Sequence, residues 1–192
     1  MKKEPKVLSS SLGHMITAMT IVAIFAGAIL GFSYQITKEP IQNAKDNRKL
    51  EAIKQVIGTE FDNNPFTDRI NIGNNIELYP ARLGSKITSI AIKTYSNNAF
   101  SGKIELIVGF MLDGTINGYK VIEQKETPGL GSKITEHKFS SQFKGMNPAE
   151  KNFKVKQDGG EIDAITSATI SSRAVIDAIS KAYDKYINFS NI

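Results

Sequence analysis

Between Leu12 and Phe32 the chain carries no charged residue other than the titratable His14, and Met15 to Leu30 is almost entirely apolar or small. About twenty such residues are what an α-helix needs to cross the hydrocarbon of a bilayer while satisfying its own backbone groups. The stretch predicts a transmembrane helix over 12–34, with residues 1–11 on one side and everything after 34 on the other. Lys2, Lys3 and Lys6 precede it, which under the positive-inside rule puts the N-terminus in the cytoplasm and the rest of the chain outside. Lys38, Lys45, Arg48 and Lys49 follow the span and pull the other way. A cleaved signal peptide is the other reading of such a stretch, and the length of the apolar run speaks against it. The expectation is a permanent single-pass anchor in the cell's inner (cytoplasmic) membrane, with the main domain periplasmic or otherwise extracytoplasmic.

The 192 residues leave room for one ordinary domain beyond the anchor. A net charge of +5 is scattered along the chain and interleaved with acids, so no basic stripe suits a nucleic acid. Cysteine is absent, which excludes disulfides, thiolate metal sites, Cys-attached haem and Cys-ligated iron–sulfur clusters. Electron transfer by such a chain needs an organic cofactor. His137 has no partner at metal-ligand spacing, so no metal site is expected.

Periodicity divides the remainder. Ile41, Ala44, Leu50, Ile53, Val56 and Ile57 predict an amphipathic helix stopped by Gly58, and the Asn- and Pro-rich stretch 61–75 reads as a linker. From residue 76 the period shortens: Ile76 to Tyr79, Lys86 to Tyr95 and Lys103 to Met111 read as strands, and Tyr119 to Ile122 closes the run. Asn97-Asn98 and Asp113-Gly114 are the expected turns. Strands in succession, rather than alternating with helices, predict an α+β domain over 76–192 built on an antiparallel sheet. The hexapeptide Leu-Gly-Ser-Lys-Ile-Thr occurs at Leu83 and again at Leu130, with flanks too different for a structural repeat.

Two stretches carry the chemistry. In Lys125-Glu126-Thr127-Pro128-Gly129-Leu130-Gly131, Pro128 fixes one φ and the glycines free their neighbours, predicting a rigid turn whose backbone can meet a ligand. Ser132 can cap a short helix after it. Asp163-Ala164-Ile165-Thr166-Ser167-Ala168-Thr169 packs small and hydroxyl residues ahead of a helical pattern with Val175, Ala178, Ile179, Ala182, Tyr183, Tyr186 and Ile187 on one face. A helix N-terminus of that composition favours an anion such as a phosphate. Read alone, Thr166 to Ser172 is also what an ordinary helix cap looks like.

Both stretches resemble signatures of the FMN-binding domain family. Asp163-x-x-Thr166-Ser167-Ala168-Thr169 is similar to its flavinylation motif, Asp-x-x-(Ser/Thr)-Gly-Ala-(Thr/Ser). Glu126 to Gly131 resembles the Glu-Thr-Pro-Gly-Leu-Gly signature found in the G subunit of Rnf complexes and the C subunit of the sodium-pumping NADH:quinone reductase. The resemblance covers nearly the whole chain, and the length suits the Rnf subunit better. It implies FMN joined through a phosphoester to Thr169, which is then a modified residue and not a catalytic one. It implies cofactor contacts from Glu126, Thr127, Gly129, Leu130, Thr166, Ser167 and Ala168, with Asp163 organising the attachment loop. It also implies a flavin transferase using FAD during maturation, and other subunits of a membrane complex that passes electrons between ferredoxin and NAD and couples this to Na⁺ or H⁺ movement. Ser167 departs from the family's usual Gly, a residue that often marks positive φ, and the position is read as tolerant of another small side chain. The quinone-reductase subunit, a stand-alone extracytoplasmic flavin carrier and a non-redox anchored scaffold are the alternatives.

Overall fold

The computed structural model describes residues 12–150 and 152–190. The lysines on which the orientation rests, and the 1–11 segment as a whole, lie outside the described residues. Two compact units divide the chain at Asp46.

The described part of the first unit is helical. Helix α1 spans Leu12–Ile57, continuing through Pro40 into the second unit. Its N-terminal part is long and apolar enough to cross a membrane, and none of that apolar window is buried within the protein. Thr17, Thr20 and Thr37 turn their hydroxyls back to the carbonyls of Gly13, Ile16 and Ser33 at 2.8, 2.9 and 2.8 Å. Such back-bonding satisfies a hydroxyl where no water is available. The span and the amphipathic stretch both fall within α1, and Ile41 and Ala44 on the expected apolar face are exposed.

The second unit is built on five antiparallel strands in simple meander order: β1 (Ile70–Gly73), β2 (Ile76–Leu83), β3 (Lys86–Ala99), β4 (Gly102–Met111) and β5 (Ile116–Glu123). One strand, β1, lies inside the stretch expected to be linker. It pairs with β2 through Asn74-Asn75, both at positive φ (50° and 60°), the geometry that suits a two-residue hairpin. The β3–β4 turn also differs from expectation. Asn97 and Asn98 stay within β3 at an irregularity in the register, and the chain reverses between Ala99 and Gly102 instead. The awkward spacing of Ile87 against Ile90 and Ile92 has a cause in the pairing. Ala81 faces Ser89 while Arg82 faces Ile87, so Thr88 is the extra residue of a β-bulge, and all three isoleucines reach the same core.

Both faces of the sheet are covered. After the short helix α2 (His137–Ser140), helix α3 (Thr169–Ser190) packs on β3 and β4, burying Val175, Ala178, Ile179, Ala182 and Tyr186 against Ile90, Ile92, Leu106 and Phe110. Tyr183 is half-buried and Ile187, expected on the same face, is exposed. Thr94, buried in β3, donates to the α3 carbonyl of Ala178 at 3.0 Å. On the opposite face the last turns of α1 set Ala52, Ile53, Val56 and Ile57 on Tyr79, Ala81, Ala91 and Ile107. There the helix lies so close that a Cβ on Gly109 would sit 1.9 Å from the Val56 carbonyl oxygen. Asn117 donates to that same carbonyl at 2.9 Å, and Gly58 at φ +67° ends the helix.

Lys93 of β3 is only 4% exposed and is held by Glu77 Oε1 at 2.9 Å, Asn75 Oδ1 at 2.9 Å and Glu105 Oε2 at 3.9 Å. Lys103 also pairs with Glu105. Burial pushes both carboxyls up. For Glu77 it is outweighed by hydrogen bonds from Tyr79 and Lys93 and by the Lys93 charge; for Glu105, by Lys103, Lys93 and Asn75. Both carboxyls end below the ordinary value of 4.5. A carboxyl depressed on folding stabilises the fold above its unfolded pKa and loses that contribution as pH falls through the folded one. Chemical denaturation of the detergent-solubilised chain is therefore expected to show stability declining as pH drops below 4.5, with a shallower decline in Glu77→Gln. An equal slope in the variant would remove Glu77 from the explanation.

Candidate functional site: a cavity between two loops

The turn after β5 closes on itself. The Thr127 carbonyl accepts from the backbone N–H of both Leu130 and Ser132 at 3.2 Å, and Gly129 sits at φ +74°. Ser132 does not cap the short 3-10 turn Gly131–Thr135 as expected; its hydroxyl accepts from the Gly129 N–H at 2.9 Å and so closes the loop that presents Thr127. The second copy of the hexapeptide thus forms a 3-10 turn, while the first, from Leu83, is the β2–β3 hairpin. Identical six-residue sequences take the structure that their surroundings impose.

Glu126 is buried and braces three segments. Oε1 accepts from the Ser101 N–H of the β3–β4 turn at 2.7 Å, and Oε2 accepts from the Ser171 hydroxyl in the first turn of α3. Gly131 fits beneath, where an added Cβ would lie 2.2 Å from Glu126 Oε2 and 2.7 Å from Ser171 Oγ. With both oxygens engaged, this carboxylate fixes geometry and is not presented as a proton carrier.

The loop that leads into α3 is held as firmly. Ala168 N–H donates to Ile165 O at 2.9 Å; Ser172 Oγ donates to Ala168 O and accepts from Ile165 N–H, both at 3.0 Å. Upstream, the Gln142 amide oxygen accepts from the Asp163 N–H at 2.8 Å and its nitrogen donates to the Asp163 carbonyl at 3.2 Å, and Lys156 pairs with the Asp163 carboxylate at 2.8 Å. Between these anchors Ser167 adopts φ +64°, the left-handed conformation that a side chain resists and glycine does not. Thr169 follows as the first residue of α3, half-buried, at the end of the helix where the macrodipole favours negative charge.

The two loops meet around a cavity of about 260 Å³. Glu126, Thr127, Leu130 and Gly131 form one side, and Ser167, Ala168, Thr169, Ile170 and Ser171 the other. Phe100, from the β3–β4 turn, completes it. Six of the residues read from sequence therefore come together: Glu126, Thr127, Leu130, Ser167, Ala168 and Thr169. Gly129 shapes the turn without lining this cavity. Thr166 and Asp163 face a different one, of about 520 Å³, with Lys133, Lys138, Phe139 and Gln142. The smaller cavity is the better candidate, because it joins both loops to the helix start, which the larger does not. Phe100 and Ile170 were not legible as site residues: Phe100 lies 26 positions before Glu126 and reaches it only through strand pairing.

A set of this kind suits a phosphorylated aromatic ligand: a hydroxyl and a helix N-terminus for the phosphate, apolar walls for a ring. Comparison with known proteins agrees. The FMN-binding domain model matches residues 99–184, a range that includes the β3–β4 turn, both loops and most of α3. The fold and the site thus define an FMN-binding flavoprotein domain. The G subunit of the ion-translocating oxidoreductase complex of Vibrio cholerae serotype O1 (strain M66-2) is 34% identical over 185 residues, covering 88% of each chain. The protein of the same name from Methanosarcina acetivorans is 32% identical over 180 residues, covering 92% of this chain and 95% of the relative. The chain belongs to the family of these G subunits. In fold it is similar to the crystal structure of the C subunit of the Na⁺-translocating NADH-quinone reductase of Parabacteroides distasonis, with a TM-score of 0.56 at 17% identity over 80% of this chain and 96% of that one.

Left-handed backbone at Ser167 makes a measurable prediction. Ser167→Val, with a β-branched side chain at positive φ, is expected to lower unfolding free energy by about 1–3 kcal/mol in chemical denaturation, whereas Ser167→Gly stays within about 1 kcal/mol of the native chain. Equal stability of all three would show that the loop does not hold this conformation.

Proposed function

We propose that the chain is a membrane-anchored flavoprotein subunit of an ion-translocating ferredoxin:NAD⁺ oxidoreductase complex of the Rnf type, and that FMN is attached covalently to Thr169. The observation that carries this reading is the convergence of the Glu126 loop and the Ser167-Ala168-Thr169 segment on one cavity at the start of α3. Bound FMN supplies one- and two-electron transfer, chemistry that no side chain in the cavity has. Thr169 would hold its phosphate through Oγ1, beside the N-terminal end of α3. Thr127 and Leu130 would meet the cofactor from the facing loop, with Gly129 shaping that loop, while Ser167 and Ala168 set the height of Thr169. Thr166 and Asp163 lie on the far side of the attachment loop, where they suit recognition by the transferase better than contact with the ring.

Attachment exchanges the phosphoanhydride bond of FAD for a phosphoester to Thr169. The Thr169 hydroxyl oxygen bonds to the FMN phosphorus of FAD, the pyrophosphate bond breaks, AMP leaves and the hydroxyl proton is released. A separate flavin transferase performs it. The apolar part of α1 would anchor the chain in the cytoplasmic membrane with its N-terminus inside and the flavin domain outside. A covalent link has a plain use there, since a cofactor lost outside the cytoplasm is not readily replaced. Other subunits would carry the ferredoxin and NAD sites, and this one would relay electrons on the outer side.

Coexpression with an active flavin transferase tests the attachment. Intact and peptide mass spectrometry is expected to find one FMN on the peptide containing Thr169 and none in Thr169→Ala. An unmodified native chain would reject the covalent reading, and equal modification of the variant would move it to another residue.

A further inference from the structure

Phe100 occupies the β3–β4 turn, 70% exposed, in a segment whose backbone is tied down on both sides. Ser101 N–H is held by Glu126. Before the turn, Ser96 Oγ donates to Asp177 of α3 at 2.6 Å and accepts from the Asn98 N–H at 3.2 Å. The turn is therefore fixed to the loop that carries Thr127 and to the helix that begins at Thr169. An exposed apolar side chain by itself is ordinary. This one lines the same cavity as two others, Leu130 at 44% and Ile170 at 47% exposure, together with the braced Glu126–Ser171 pair.

On the reading that FMN is attached at Thr169, we propose that Phe100 is a cofactor-binding residue whose ring forms the wall against which the flavin's tricyclic ring lies, with Leu130 and Ile170 as the flanking apolar contacts. Aromatic rings gain from offset or edge contact beyond the area they bury, and a wall on a pinned turn loses little entropy in making it. Phe100 thus sets how much of the flavin face water can reach.

The test uses the full chain, flavinylated by coexpression, with FMN on Thr169 first established by mass spectrometry. Phe100→Ala, a change at an exposed side chain, is expected to retain the attached FMN while collisional quenching of flavin emission by acrylamide rises about twofold, as an uncovered aromatic face requires. Phe100→Trp places an electron-rich ring in the same position and is expected to cut flavin emission by at least about half. Unchanged acrylamide access in the alanine variant together with unchanged emission in the tryptophan variant would overturn the proposal while leaving attachment at Thr169 intact. So would a Phe100→Ala chain whose flavin is optically native but exchanges electrons more slowly with its partner subunits, which would make Phe100 a docking residue. A native chain that gains no FMN overturns the reading and this proposal together.

Discussion

The bond from the Glu126 carboxylate to Ser101 on one side and Ser171 on the other is the contact on which the site depends. It joins three segments far apart in sequence: the β3–β4 turn, the loop after β5 and the start of α3. Hydrogen bonds to a charged group contribute about 1.5–3 kcal/mol each, and a carboxylate buried without them would be costly. Glu126 therefore forces the three segments into one arrangement. Gly131 belongs to the same constraint, since the space a Cβ would fill is already occupied by Glu126 and Ser171.

The rest of the domain supplies rigidity to that junction. The meander holds the β3–β4 turn and the Glu126 loop at the same end of neighbouring hairpins, and α3 crosses the sheet so that its first turn arrives there. The opposite face is sealed by the last turns of α1, which lie against Gly109 at backbone contact. One helix thus carries both the apolar span and part of the domain's second core. A cofactor joined to Thr169 would sit on a helix whose apolar face is already committed to the sheet, which is the support that a tethered electron carrier needs.

Much of this was legible from residue patterns, and the failures have physical reasons. The apolar run, the strand succession and the two loop signatures were readable because each is a local pattern of period, turn residues or small side chains. Strand β1 was not, because Asn74-Asn75 looked like linker composition when the two residues form a tight hairpin at positive φ. Asn97-Asn98 misled in the other direction: turn-type residues serve an irregularity inside β3, and the reversal is left to Phe100-Ser101. Ser132 looked like a helix cap and instead closes the Gly129 turn. Phe100 carries no local signal, since its place in the cavity is set by the pairing of β3 with β4 and of β4 with β5.

If the two loops form one flavin site with Thr169 at its entrance, a crystal structure of the chain after flavinylation is the decisive measurement. Continuous density is expected from Thr169 Oγ1 into a phosphate beside the start of α3, with the ring between Phe100, Leu130 and Ile170. Density for the flavin ring in the larger cavity beside Lys133, Lys138 and Gln142, or a phosphate on a residue other than Thr169, would contradict it.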